Sequence, residues 1–123
     1  MNSTTQRGVV LFAHGSRDPL WRAPMEAVAK HAATLDPAAN VACAYLELTE
    51  PDLPTVCAQM VNSGVRAITV VPMFLGVGKH AREDLPVLMA ELKAAHPQVV
   101  FSLQAAVGEN PAVVDLLARI AVS

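Results

Sequence analysis

The segment Gly8-Val-Val-Leu-Phe-Ala13 is apolar without alternation. A strand with one wet face alternates; an unbroken apolar run suits a strand covered on both faces, as in a parallel sheet. Three more short runs follow: Val41–Leu46, Arg66–Val71 and Val99–Leu103. Each is followed by helical spacing of apolar residues. Met25, Val28, Ala29 and Ala32 mark a helix over about 20–35, opened by Asp18-Pro19 and closed by Asp36-Pro37. Glu50-Pro51-Asp52 opens a second helix through Val56, Cys57 and Met60, and Gly64 is free to take positive φ at its end. A third runs over about 81–95, with Pro86 in or just after its first turn and His96-Pro97 at its end. Asn110-Pro111 starts a fourth, with Val114, Leu117 and Ile120 as its stripe. The order β-α-β-α-β-α-β-α predicts an α/β fold: one four-stranded parallel sheet in a flavodoxin-like three-layer sandwich, with helices on both faces and right-handed crossovers.

The chain has 123 residues, which is one domain of ordinary size. At 53% hydrophobic and 16% charged it has enough to bury without disulfide or metal. Residues 1–7 read as a flexible N-terminus ahead of the domain. A net charge of −2 leaves no basic footprint for nucleic acid, and five aromatic rings of the Trp, Tyr and Phe types give no base-stacking platform. No apolar run approaches the roughly 20 residues of a membrane helix. The polar start Met1-Asn-Ser-Thr-Thr-Gln-Arg7 lacks a signal-peptide pattern, so a cytoplasmic location is expected. Cys43 and Cys57 are too far apart for a C-x-x-C site and read as small core residues.

In open parallel sheets ligands bind beyond the carboxyl ends of the strands. At those ends stand His14, Gly15, Ser16 and Arg17; Glu47; Lys79, His80 and Arg82 after a glycine loop; and Gly108, Glu109 and Asn110. Imidazole and carboxylate suit divalent cobalt, nickel, iron and zinc. Each residue also has a plainer reading: His14 as a helix-capping turn residue, His80 as a solvated helix start, Glu47 as a surface carboxylate. The case for a site is that His14, Glu47 and His80 come from three separate strand ends. His31 and His96 read as structural or solvated. Arg17, Arg22, Lys79 and Arg82 all follow the first or third strand, and a basic rim about a His/Glu centre suits an acidic ligand.

These residues resemble a known family. Leu11-Phe-Ala-His-Gly-Ser-Arg-Asp-Pro19 looks like the opening of the CbiX-type small chelatases. Pro72-Met-Phe-Leu-Gly-Val-Gly-Lys-His-Ala-Arg-Glu-Asp-Leu-Pro86 looks like their second signature. Tyr45-Leu46-Glu47 with Pro51 resembles the acidic segment between, and Gly108-Glu-Asn-Pro111 the family's close, so the likeness spans about residues 8–120.

The resemblance implies an ATP-independent lyase that inserts a divalent metal into the tetrapyrrole sirohydrochlorin, in cobalamin or sirohaem synthesis. It implies no prosthetic group. The metal is a substrate: cobalt first, iron or nickel in relatives. His14 and His80 would be the metal-binding and catalytic pair, with Glu47 as the acidic partner. Neutral imidazoles can hold an ion and leave positions open for ring nitrogens, and one of them or Glu47 can accept a pyrrole proton. Protonation at low pH would compete with the metal. Ser16, Arg17, Lys79 and Arg82 would meet the macrocycle's polar groups and carboxylates. Gly76 and Gly78 would let the loop approach a flat ring, while Met73, Phe74 and Leu75 would pack either on that ring or in the core.

Two rivals stand beside this reading. A carrier would use the same residues without accelerating insertion. A histidine phosphatase has Arg before its first-strand His-Gly, where this chain has Ala13. Superfamily relatives hold two α/β lobes in one chain with the macrocycle between them. One lobe here implies a homodimer that rebuilds the cleft.

Overall fold

The unbroken apolar run becomes a central strand. The computed structural model describes residues 7–123, in the order β1 (Arg7–Ala13), α1 (Ala23–Leu35), β2 (Asn40–Tyr45), α2 (Leu53–Asn62), β3 (Ala67–Pro72), α3 (Lys79–Ala95), β4 (Val100–Leu103) and α4 (Pro111–Val122). A short 3-10 turn at Val107–Glu109 precedes α4. The sheet is parallel with strand order β2-β1-β3-β4. Leu11 therefore lies between Cys43 and Val71.

Helices cover both faces, as the pattern predicts. On one face α2 and α3 bury Leu53, Val56, Met60, Leu85 and Met89 against Val10, Phe12, Ile68, Val70 and Phe101. On the other, Met25 of α1 packs on Leu11, Ala13 and Tyr45. Cys57 is fully buried and Cys43 half-buried, both as free thiols. Gly64 takes φ 100° after α2, as expected. Among the described residues no helix is long and apolar enough to cross a membrane.

Several boundaries differ from expectation. The first helix starts at Ala23, not near Leu20. The Asp18 carboxylate accepts from the Leu20 N–H at 2.9 Å and its carbonyl from Trp21 N–H at 3.0 Å, so the chain makes a turn first. Pro24 then sits in the opening positions where its missing N–H costs nothing. The third helix starts two residues early, at Lys79, so Lys79 and His80 are helical and Pro86 lies well inside α3. Residues 1–6 of the expected flexible N-terminus lie outside the described residues. Arg7 does not belong to it: it pairs with Ala67 in the sheet and donates to Asp36 at 2.8 Å.

Asp52 caps α2 by accepting from the Thr55 N–H at 2.9 Å. Hydrogen bonds from the Thr55 hydroxyl and backbone hold its carboxyl below the ordinary value of 3.8. Asp52→Ala should cost about 1 kcal/mol of stability at neutral pH. A depressed folded-state value means the charged cap contributes fully above the unfolded value of about 3.9 and is lost as pH falls from there through the lower folded value. Urea unfolding of both proteins at pH 7 and pH 3 checks this; an equal difference at both pH values would contradict it.

Candidate functional site

β1 ends on the buried Ala13, and the next residue, His14, emerges exposed at the carboxyl edge of the sheet. Its ring stands 5.4 Å from that of Phe74, at 56°. Phe74 in turn meets Phe12 edge-on at 6.3 Å. Phe74 thus belongs to the core and serves as a floor under the imidazole, and the Met73 N–H fixes its loop by donating to the Phe12 carbonyl at 2.8 Å.

The exit of β2 runs alongside. Leu46 N–H donates to the Ala13 carbonyl at 2.9 Å and Glu47 N–H to the His14 carbonyl at 3.0 Å. Gly15 crosses this junction at φ 101°. A Cβ there would stand 1.7 Å from the Glu47 carbonyl oxygen, so only glycine fits. Beyond it, Ser16 N–H donates to the Thr49 hydroxyl at 3.0 Å, and that hydroxyl donates back to the Ser16 carbonyl. The Ser16 hydroxyl accepts from Asp18 N–H at 3.1 Å and keeps its own proton to donate. The structure therefore joins His14, Ser16 and Glu47 through backbone contacts that tie two loops together.

Lys79 and His80 open α3, exposed, behind the N-cap Gly78. Arg82 donates from its guanidinium to the Val77 carbonyl at 3.0 Å, which anchors the glycine loop. Gly76 and Gly78 have open space where a Cβ would stand, and neither has positive φ, so nothing within the chain demands glycine at either. The loop's real constraint lies across from it. A Cβ on Gly108 would meet the Leu75 carbonyl oxygen at 1.9 Å, and the Gly108 N–H donates to the Phe74 carbonyl at 2.9 Å.

His14, Glu47 and His80 share one edge of the sheet but do not form a three-ligand cage. Among the described residues no group of three His, Cys, Asp or Glu side chains is arranged to hold one metal ion. The basic rim is also divided. Arg17 and Arg22 line a groove of about 780 Å³ beside α1, with Ser16, Tyr45 and Thr49; Lys79 and Arg82 do not line it. Arg22 pairs loosely with Glu26 at 3.6 Å. Burial, then the neighbouring Cys43, pushes the Tyr45 hydroxyl up to about 12, so it stays protonated at neutral pH. Burial also raises the Cys43 thiol, and its sulfur lies 3.5 Å from the Met25 carbonyl. Tyr45 and Thr49 were not among the expected site residues. The one signal in the sequence was the chain's single tyrosine at the carboxyl end of a strand.

Comparison with known proteins agrees with this architecture. The CbiX family model matches residues 8–122. The sirohydrochlorin cobaltochelatase of Methanopyrus kandleri is 36% identical over 81 residues, which cover 66% of this chain and 57% of that protein. The match therefore spans little more than half the length of that relative. The sirohydrochlorin cobaltochelatase of Methanosarcina acetivorans is 29% identical over 87 residues, 71% of this chain and 67% of that protein. Among solved structures, a CbiX protein of cobalamin (vitamin B12) biosynthesis from Marinobacter aquaeolei VT8 superposes with TM-score 0.81 at 37% identity, covering 94% of this chain and 93% of that one. The sirohydrochlorin chelatase SirB of Bacillus subtilis subspecies spizizenii, in complex with cobalt, superposes with TM-score 0.80 at 25% identity, covering 94% and 49%. With its signature residues at the strand ends and the family match running almost from end to end, the chain belongs to the CbiX family.

Proposed function

We propose that this chain inserts a divalent metal, cobalt in the first place, into sirohydrochlorin without ATP, in cobalamin or sirohaem synthesis. The observation that carries the reading is His14, exposed at the end of the central strand on the Phe74 floor, with the exit of β2 bonded beside it. His14 and His80 take the ion as neutral imidazoles. Two protein ligands leave coordination positions open for ring nitrogens, and so suit delivery of an ion rather than its storage. As the ion enters the ring it sheds water and two pyrrole protons leave. Glu47, or whichever imidazole the ion has left, accepts one of these protons as general base, and solvent water takes the other. Arg17, Lys79 and Arg82 meet the carboxylates, the free proton of Ser16 donates to a polar group, and the open backbone at Gly76 and Gly78 lets the flat ring come close.

A single lobe leaves this edge open on one side, and two copies facing each other close it. The cobalt-bound SirB chain, of which this chain covers 49%, has room for a second unit of the same size, which supports a homodimer. The two free thiols suit a reducing cytoplasm, the location we assign to the activity.

Anaerobic mixing of Co²⁺ with sirohydrochlorin, followed by absorbance with and without the purified protein, tests the reading. Insertion well above the uncatalysed rate is expected, and the same assay with Fe²⁺ and Ni²⁺ ranks the metals. A rate equal to the uncatalysed one would leave only a carrier.

A further inference from the structure

Among the described residues Leu48 is the one non-glycine residue whose φ lies in the left-handed region, at 66°. A bulky side chain strains that conformation, which Gly or Asn adopts readily. Such strain persists only where the surroundings hold it, and it collects at functional sites. Two braces hold it here. On one side Glu47 N–H donates to the His14 carbonyl at 3.0 Å; on the other the Thr49 hydroxyl accepts from Ser16 N–H at 3.0 Å. Tyr45 N–H donates to the Pro51 carbonyl at 3.0 Å and closes the loop at its base. Leu48 lies between the two braced residues, and its side chain is 52% exposed. It forms a ridge shared by the groove beside α1 and a second groove of about 500 Å³ lined by Glu47, Asp52 and Thr55. A strained backbone with a wet apolar side chain serves neither the loop nor the core.

The exit of β3 carries a counterpart. Leu75 is 68% exposed while its neighbour Phe74 is buried, so this apolar loop divides between surface and core. The backbone of Leu75 is fixed by the close approach of Gly108, where a Cβ would stand 1.9 Å from the Leu75 carbonyl oxygen. Leu48 and Leu75 each stand three residues past the end of their strand. β2 and β3 flank β1 in the sheet, so the loops that carry the two leucines rise on either side of His14. Strand spacing of about 4.8 Å sets the roots of these loops roughly 10 Å apart, a span that a ring of four pyrroles bridges. Two apolar side chains held out in water, on fixed backbones either side of an exposed imidazole, suit a ligand with a flat apolar face.

We propose that Leu48 is a substrate-contact residue, packing with Leu75 on the apolar face of the macrocycle so that the ring nitrogens lie over His14. The proposal rests on the chelatase reading above and adds the groups that meet the ring itself rather than its carboxylates. The basic side chains attract the carboxylates at long range and are screened by salt. The leucines act at contact distance, and their burial does not depend on charge. Covering the exposed half of a leucine side chain corresponds to roughly five- to tenfold in binding. Asn or Gly at position 48 would relieve the backbone and lose the contact, so stability and ring binding should move in opposite directions. A residue kept only for the shape of its loop would move both the same way.

Absorbance titration of the full chain with metal-free sirohydrochlorin reads the contact directly, and anaerobic Co²⁺ insertion reads it as KM. Leu48→Asn and Leu48→Gly should raise Kd and KM roughly five- to tenfold at low and high salt alike, with kcat within about twofold of the parent. Leu48→Asn should also raise the urea midpoint and leave sedimentation unchanged. Leu48→Met keeps the apolar bulk and should keep the parent's Kd. An unchanged Kd in Leu48→Asn and Leu48→Gly would overturn the proposal. So would a Kd raised equally in Leu48→Met, a lowered urea midpoint, which would give the side chain to the fold, or altered sedimentation, which would give it to the pairing of chains. A parent protein that binds the ring without inserting metal, with Kd still raised in the variants, would sink the chelatase reading and leave the contact standing. A parent that does not bind the ring would overturn both.

Discussion

His14→Ala is expected to lower kcat/KM for metal insertion by at least about 100-fold, the low end of what a positioned catalytic group contributes. That is about 2.7 kcal/mol of transition-state stabilisation. The fold should survive, because the imidazole is exposed and rests on the ring of Phe74 rather than in the core. His14→Phe separates the two roles: it keeps a ring over Phe74 and removes both nitrogens, so it should retain stability and lose activity. His80→Ala, on the exposed first turn of α3, should lose a similar factor with even less effect on unfolding. If the two imidazoles hold one ion together, the double variant should fall little below either single one, since groups that act as a unit are strongly non-additive. Full activity in either single variant would remove that residue from the site. Two independent losses that multiply would mean separate roles rather than a shared ion.

The residues that carry this expectation could be read from the sequence because local pattern determines where they stand. β1 is a central strand with Val10 to Ala13 all buried, and its unbroken apolar run records that directly; β3 is central too, with Ile68 and Val70 buried on one face and Thr69 and Val71 half-buried on the other. Whatever follows such a run stands at the carboxyl edge, so the pattern alone puts His14 and the loop before His80 there. The spacing predicts α1 from about Leu20, but Asp18 spends its carboxylate and carbonyl on Leu20 and Trp21, and a local side-chain bond outweighs the helical spacing that surrounds it. The pattern places Pro86 in or just after a first turn, whereas α3 begins at Lys79 and carries Pro86 inside it, exposed, with no N–H to offer the Arg82 carbonyl. The Thr49–Ser16 pair and the Tyr45 groove join segments about thirty residues apart in sequence, and no window of periodicity registers such contacts. The stripe on α4 is legible as a stripe, yet Val114, Leu117 and Ile120 are 53%, 42% and 62% exposed, because periodicity marks an apolar face without saying what it meets.

Gly15→Ala should be the most damaging small substitution at the site. At φ 101° a Cβ is strained by itself, at roughly 1–2 kcal/mol. Here it would also stand 1.7 Å from the Glu47 carbonyl oxygen, a backbone atom that cannot swing aside as a side chain would. Relief requires the β1–α1 and β2–α2 loops to part. The Glu47 N–H bond to the His14 carbonyl and the Ser16–Thr49 bonds oppose that movement. A total cost of roughly 3 kcal/mol or more is expected from strain plus the hydrogen bonds broken between the two loops, with loss of activity because His14 and Glu47 move apart. Gly76→Ala is the matched control: nothing lies within 4 Å of its added Cβ and its φ is not positive, so stability should change by less than about 0.5 kcal/mol. Any effect of Gly76→Ala should appear as a raised KM for the macrocycle, since the open space there is where a flat ring would approach. Urea unfolding and insertion kinetics of the two variants read the contrast. Equal unfolding midpoints would mean that the two strand-end loops are not braced through Gly15, and an unchanged KM in Gly76→Ala would move the ring away from the glycine loop.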